Sequence, residues 1–587
     1  MISVRVFALV YARQEVAMCM KKMRIFEYAQ EHPEEPLAVT DDKETIRYVE
    51  LNEHSKELEK TVGHRLVFVL CRNTPGSLLG YLGLLQSGGV PLLLDADIAP
   101  SLLADLVKTY RPAFCLIPED LTEESRAVVG MPLAESKVIK PLETGNEELE
   151  SSVKTARLLK TVKMESVEPL GNGLRIRDYL LVKSAPEGKD PQLAPQLRLL
   201  LATSGSTGSS KLVRISGENL DANAESIVEY LQISRNEKPI TVLPMQYSYG
   251  MSIIHSHLMV GAPILLTRYT LMEKQFWERM RDEQATSLCG VPYTFEIYRR
   301  VGLMEMDLPA LHTITQAGGK LSEERHMQFA MWSAAKGIRF YVMYGQTEAS
   351  PRMGWLPPET AIKKCGSMGI AIPGGKLDLI DENGKKIPAR RNSAMNKSEN
   401  VNSRGLSGQA KEKKGEAGVD WMSPVGELVY TGANVALGYA LCAEDLKKGD
   451  EFHGVLYTGD MARKDADGFF YIVGRRSRFI KMVGKRVGLD EVEKILRTEF
   501  PGLDLVCTGK DEALHVYVAV GDHERADDDE TVKEGMTAAV LINEKIVDEM
   551  RMYIEKMTGI PGRRVQIIPV REIPRSSSGK IHYADLK

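Results

Sequence analysis

The chain has 587 residues, 43% hydrophobic and 27% charged, with 76 basic against 80 acidic residues and a net charge of −4. That is a globular composition at a length sufficient for several domain-sized units, and the near-neutral balance excludes binding driven by bulk charge to nucleic acid or an anionic membrane. Seven cysteines, at 19, 71, 115, 289, 365, 442 and 507, form no CxxC pair and no zinc-spaced cluster with histidine, which reads as reduced thiols in a cytoplasmic protein.

Residues 1–22 read as an N-terminal extension ahead of a start near Met23. Their apolar stretch, Val6–Ala12, is short for a secretory signal, and Gln14 and Glu15 follow at once. No apolar run approaches the ~20 residues that span a bilayer.

From about residue 23 an apolar strand, a loop and an amphipathic helix alternate. Arg65–Leu70 is a buried strand, Ser77–Gln86 a helix and Val90–Leu94 the next strand, a βαβ signature that predicts parallel sheet. The rhythm recurs with strands at Leu197–Ala202, Ile240–Met245, Thr286–Val291, Thr313–Gln316 and Ile338–Met343. Each ends in a Gly, Ser, Pro or Thr loop, and open α/β sheets bind ligands beyond the carboxyl ends of their strands. Residues 385–420, poor in aliphatic side chains and rich in Lys, Ser, Asn and Gly, read as a disordered insertion between the strands Lys376–Asp381 and Gly426–Thr431. Residues 522–533 form a smaller acidic loop. Beyond about 477 the pattern becomes a small α+β unit, with a helix at Leu489–Phe500, a strand at Leu514–Val520 and a helix over Thr537–Lys556. The fold class is therefore a large α/β N-terminal domain with parallel-rich sheets, residues 23–476, and a small α+β lid, residues 477–587.

One loop carries chemistry. Thr203–Lys211, TSGSTGSSK, follows a strand directly. Gly205 and Gly208 allow close backbone approach, consecutive N–H groups and hydroxyls form an anion nest, and Lys211 adds a cation. A polyphosphate suits that loop, although a plain Ser/Gly turn has the same composition. The Walker A pattern is excluded, because the two glycines are too close and Lys211 follows no glycine. Further motifs come in order: YGQTE (Tyr344–Glu348), YTGD (Tyr457–Asp460), GRRSRFIKMVGKRV (Gly474–Val487) and PRSSSGK (Pro574–Lys580). A carboxylate beside a phosphate nest is a Mg²⁺ ligand by type, and an acid after a glycine turn can take both hydroxyls of a ribose.

In that order the set resembles the adenylate-forming superfamily of acyl-CoA synthetases, peptide-synthetase adenylation domains and luciferases, over Met23 to the C-terminus. The resemblance implies that Thr203, Ser204, Gly205, Ser206, Thr207, Gly208 and Lys211 grip the ATP phosphates. Gly318 and Gly319 of QAGG would line the adenine and Tyr344 would stack on it. Thr347 would contact the α-phosphate, Glu348 would hold Mg²⁺, and Asp460 with Arg475 would bind the ribose. Lys580 would be the catalytic lysine that bridges the carboxylate and α-phosphate as the acyl-adenylate forms, a fixed cation offsetting the repulsion between two anions. The lid would then turn about a hinge and a thiol would displace AMP.

The chain departs from the family pattern at several places. Ser477 takes the hinge position where Asp is usual, and Ser210 replaces a proline of the phosphate loop. Within LPMQYSYG (Leu243–Gly250), Tyr247 replaces a histidine that gates the acyl pocket, either as an aromatic gate or as a packed tyrosine. His255 and His257 read as packed core histidines. Met245–Val260 has no Asp or Glu to hold a substrate amino group. Tyr247, Gly290–Tyr293 and Gln316 are the candidates for the acid pocket.

The function implied is an ATP-dependent acid–thiol ligase acting on a small carboxylic acid, with ATP, Mg²⁺ and the thiol of CoA or of a phosphopantetheine on an acyl carrier protein in trans. The alternatives are a non-catalytic nucleotide-binding relative and an amino-acid adenylating enzyme serving a separate carrier.

Overall fold

The expected βαβ unit forms. Strand Leu66–Cys71 leads through helix Pro75–Ser87 to strand Val90–Asp95, and the two strands pair in parallel from Leu66↔Val90 to Cys71↔Asp95. Pro75 opens the helix, where its missing N–H costs nothing, and Gly88 closes it in the left-handed conformation. Every residue of Leu66–Cys71 is buried. Val67, Val69 and Cys71 enter one core, and Leu66, Phe68 and Leu70 enter another. Such a strand is covered on both faces, which explains its unbroken apolar run.

The computed structural model describes residues 23–129, 174–184, 189–202, 211–388, 421–482, 485–510, 513–520, 544–558, 560–575, 581 and 583–586. They fall into two compact units, each drawn from separate stretches of chain. The first takes its described residues from Met1–Thr203, Ser210–Ala285 and Ala436–His453, and the second from Thr286–Val435 and Gly454–Lys587.

The first unit is built on an eight-stranded sheet. Its centre, Val90–Asp95, Leu66–Cys71 and Phe114–Pro118, is parallel, and Leu197–Ala202 joins it in parallel. Leu212–Ser216 and then Gly438–Ala440 extend one side antiparallel. Arg214 on Leu212–Ser216 has a fully buried side chain. It donates to the carbonyls of Leu437, Tyr439, Lys448 and Gly449 and pairs with Glu451 at 2.5 Å. A buried guanidinium is tolerable only with such full pairing.

The predicted strand Ile240–Met245 is a correction. The segment makes one parallel bridge, Ile240 to Leu265, and then turns. Pro239 and Pro244 bracket it, and neither can donate to a ladder.

The second unit holds a five-stranded sheet, Ser287–Gly290, Thr313–Gln316, Arg339–Gly345, Arg352–Leu356 and Ile370–Ala371. The first three strands are parallel and the last two antiparallel. Phe295, Phe329 and Phe340 pack edge to face or tilted, at centroid distances of 4.8, 5.9 and 6.3 Å. A four-stranded antiparallel sheet follows, in which Gly426–Thr431 lies between Lys376–Ile380 and Val455–Lys464, with Phe470–Arg475 outermost. Of the disordered insertion expected at 385–420, residues 385–388 are described and are ordered. Lys386 Nζ holds Asp378 at 2.9 Å and Ile387 N–H donates to Leu379 O at 2.8 Å, so residues 385–388 are an ordered continuation of the turn. Residues 389–420 lie outside the described residues, as do the acidic loop 522–533 and the start of the helix expected at Thr537, which is described as Glu544–Thr558.

The C-terminal part of this unit has its own core. Ile480, Leu489, Val492 and Leu496 pack with Leu505, Leu514, Val516, Met550 and Ile554, around the sheet Leu505–Lys510, Ala513–Ala519 and Val565–Val570. Among the described residues no helix is long and apolar enough to cross a membrane.

Candidate active site

In the second unit three parallel strands run to one edge, with Gly290 beside Gln316 and Gln316 beside Val342, and the third continues to Gly345. The loops that leave this edge are Val291–Pro292, Ala317–Gly319 and Gln346–Ala349, which is where a twisted open sheet presents a ligand cleft. Gln316 is fully buried. Its Nε2 donates to Gly319 O at 2.8 Å and Ala317 O at 3.2 Å, so it braces the turn of Gly318 and Gly319, with Gly318 at φ +81°. Gln316 therefore supports the predicted adenine loop from beneath.

Tyr344 and Gly345 end the third strand. A Cβ on Gly345 would lie 1.6 Å from Pro351 O, so no other residue fits there. The Tyr344 hydroxyl donates to Asp460 Oδ2, which also accepts from Gln346 Nε2 at 2.8 Å. Gln346 Nε2 reaches Thr458 O at 3.0 Å as well. The other oxygen of Asp460, Oδ1, pairs with Arg475 Nε at 3.0 Å. Strand register brings that pair together, since Asp460 lies opposite Arg475. Asp460 is buried, and Arg475 keeps 61% of its side chain exposed. Burial first, and the Asp460 charge second, push the Tyr344 phenol well above its ordinary pKa, so it stays a donor. The predicted ribose pair and the predicted stacking tyrosine thus share one network. Gln346 completes it; the sequence reading passed over this residue, and its place between two motif residues was the signal.

Thr347 and Glu348 sit half-buried on a single 3-10 turn, Thr347–Ala349. Among the described residues no group of three or more His, Cys, Asp or Glu could hold a metal ion. One carboxylate on a turn fits Mg²⁺, which takes one or two protein carboxylates and completes its shell with phosphate and water, and does not fit an ion caged by protein.

Among the described residues, the predicted Lys211 and Tyr247 belong to the first unit. Lys211 Nζ lies 3.3 Å from the ring centroid of Tyr439, a cation–π contact. Tyr247 is the half-buried N-cap of helix Ser248–Val260, with its ring edge-on to Tyr249 at 6.5 Å. His255 and His257 on that helix are buried, as expected of core histidines. His255 Nε2 shares a 2.8 Å hydrogen bond with the Tyr81 hydroxyl, and His257 Nδ1 lies 2.8 Å from Ile253 O.

Ser477 lies in the 3-10 turn Arg476–Arg478, directly after the strand that carries Arg475. Arg478 is gripped by Asp490 at 2.5 Å, by Glu493 and by Cys507 O at 3.0 Å, with its guanidinium over Tyr583 at 4.5 Å. Burial pushes the Glu493 carboxyl up, and the Arg478 charge pulls it the other way. The residue after the hinge position is thus fastened into the C-terminal core. Thr203, Ser204, Gly205, Ser206, Thr207, Gly208 and Lys580 lie outside the described residues.

Luciferin 4-monooxygenase of Nipponoluciola cruciata is 26% identical over 358 residues, 58% of this chain and 58% of that protein. Indoleacetate–CoA ligase of Aromatoleum aromaticum is 26% identical over 315 residues, 52% and 53% of the two chains. The chain therefore spans less than two thirds of the length of these relatives. O-succinylbenzoate coenzyme A synthetase of Bacillus subtilis, in complex with ATP and magnesium ion, shares the fold with a TM-score of 0.65 at 17% identity, over 96% of this chain and 99% of that one. ATP-bound MatB of Rhodopseudomonas palustris aligns with a TM-score of 0.62 at 18% identity, over 96% and 98%. The family model described as AMP-binding enzyme matches residues 25–402, more than half of the chain, and this protein belongs to that family.

Proposed function

We propose that the protein is an ATP-dependent acid–thiol ligase. A carboxylate oxygen of the acid attacks the α-phosphorus of ATP, the bond to the β-phosphate breaks, and pyrophosphate leaves. The thiol of CoA or of a carrier-protein pantetheine then attacks the acyl carbon, and AMP leaves with the electrons of the C–O bond. The observation that carries this reading is the Asp460 carboxylate, held by Tyr344, Gln346 and Arg475 beside the YGQTE turn, a ready receptor for a ribose diol.

In this reading Thr203–Gly208 and Lys211 bind phosphate oxygens, Gly318 and Gly319 face the base, and Tyr344 orients it. Thr347 would contact the α-phosphate and Glu348 would hold Mg²⁺, which neutralises phosphate charge when bound. Lys580 brings a cation to the point where two anions must meet, and needs no protein nucleophile beside it. Tyr247 closes the acid pocket. Residues 23–476 form the body and 477–587 a lid that turns at Ser477.

The test is pyrophosphate release with Mg²⁺–ATP across short, medium and long fatty acids, aryl acids, hydroxy acids and amino acids, each with and without CoA. One acid class should give release, with AMP and thioester appearing once CoA is added. Lys580→Ala should lower that release by at least about a hundredfold while ATP binding survives. Equal release by the variant would sink the assignment.

A further inference from the structure

Asn434 stands in none of the motifs that pointed to the site, yet it is 3% exposed and every polar atom of its amide is engaged. Its Nδ2 donates to Ala349 O at 2.6 Å and to Arg352 O at 2.7 Å. Its Oδ1 accepts from the Tyr430 hydroxyl at 2.8 Å. Two carbonyls demand the NH₂ and a hydroxyl donor demands the oxygen, so the partners fix which way the amide faces. Tyr430 is fully buried, and its hydroxyl reaches this place through a gap kept by two glycines. A Cβ on Gly375 would lie 2.3 Å from that hydroxyl, and one on Gly432 would lie 2.6 Å from it.

The two carbonyls are not arbitrary. Ala349 ends the turn that carries Thr347 and Glu348, and Arg352 begins the strand paired antiparallel with the strand of Tyr344. Between them Ser350 and Pro351 reverse the chain, with Ser350 at φ +60°. From one side Pro351 O presses into the space that Gly345 leaves. From the other, Asn434 ties down both ends of the reversal. Buried amide hydrogen bonds of this kind are costly to leave unmade and leave a turn little freedom.

We propose that Asn434, oriented by Tyr430, is a positioning residue that fixes the Thr347–Glu348 turn for Mg²⁺–ATP. The inference rests on the reading of Glu348 as the magnesium ligand given above. Groups that orient a metal ligand without touching the metal are worth about ten- to a hundredfold in metal affinity.

The experiment uses the full chain with Asn434→Ala and Tyr430→Phe. Two quantities are read: the Mg²⁺ concentration for half-maximal ATP binding, and hydrogen–deuterium exchange over residues 347–352. Asn434→Ala should raise the Mg²⁺ requirement about ten- to a hundredfold and speed exchange in that segment, leaving helix Leu489–Glu499 protected. Tyr430→Phe, which removes one hydroxyl, should move both the same way by about two- to fivefold. A folded variant with an unchanged Mg²⁺ requirement overturns the proposal, as does ATP binding that ignores Mg²⁺ in the parent protein. If Asn434→Ala does not fold, Tyr430→Phe decides. If no acid gives pyrophosphate release but the Mg²⁺ requirement shifts, the ligase reading falls and the clamp stands. If acids are activated and the requirement stays put, the clamp alone falls.

Discussion

At Asp460 a single buried carboxylate divides its oxygens, Oδ2 to Tyr344 and Gln346 and Oδ1 to Arg475. Asp460→Asn preserves the volume and removes the charge. The amide cannot satisfy the same three donors, and an unsatisfied buried donor costs about 1–3 kcal/mol. ATP affinity should fall at least about tenfold, because charge-assisted hydrogen bonds are the stronger ones, and thermal unfolding should move down with it. Calorimetric titration with ATP and a melting curve check the two parts; unchanged affinity would remove Asp460 from the ribose site. At this scale the sequence was legible where a residue sits in a recognisable word, as Asp460 does in YTGD. Asn434 was not legible. It is one polar residue in an apolar run, and its partner Ala349 is 85 positions away.

Helix Ser248–Val260 is an element whose burial can be read in acid. Burial pushes His255 down to about 3 and His257 down to about 4, from an ordinary 6.5. Above pH 6.5 both are neutral in the folded and the unfolded chain, and they contribute no slope. Below it the unfolded chain takes up protons that the folded chain refuses, so stability present above 6.5 is lost progressively as pH falls toward about 3. His255→Gln should make the decline of stability between about pH 6 and 4 shallower, read by denaturant titration across that range. An unaltered slope would mean that the ring is not shielded. Element type was legible in the alternation of strand, loop and helix: Leu197–Ala202 and Thr313–Gln316 form at their predicted bounds. It failed at Ile240–Met245, where two prolines outweigh the apolar pattern.

At the scale of the whole molecule the described residues fall into compact units that divide at Ala285, Val435 and His453. Local patterns could not reveal that, because a returning strand such as Gly438–Ala440 looks like any other short apolar run. The C-terminal core remains a coherent cluster of its own, and Lys494 on its first helix pairs with Glu323 at 2.8 Å. In the first unit Arg214 ties strand Leu212–Ser216 to the distant stretch Ala436–His453. Arg214→Ala would remove the guanidinium donor from the carbonyls of Tyr439, Lys448 and Gly449, while Leu437 O keeps Glu451 N–H and the half-exposed Glu451 keeps Lys448; each buried hydrogen bond left unmade costs about 1–3 kcal/mol. A comparable drop in unfolding free energy is expected, with loss of the first unit's cooperative transition by circular dichroism. A change under about 1 kcal/mol would place the guanidinium in water instead.

The same arginine sets an order of events during synthesis. Leu212–Ser216 emerges from the ribosome long before Ala436–His453, which supplies both its neighbouring strand and the acceptors for Arg214. Throughout that interval the nascent sheet carries an open edge with a cation embedded in it. An unguarded edge invites foreign strands, and a charge pointing inward is one of the devices that discourage them. Arg214 therefore serves twice: first as a sentry that keeps the unfinished edge from pairing with a stranger, and later as the lock that admits its own distant strand.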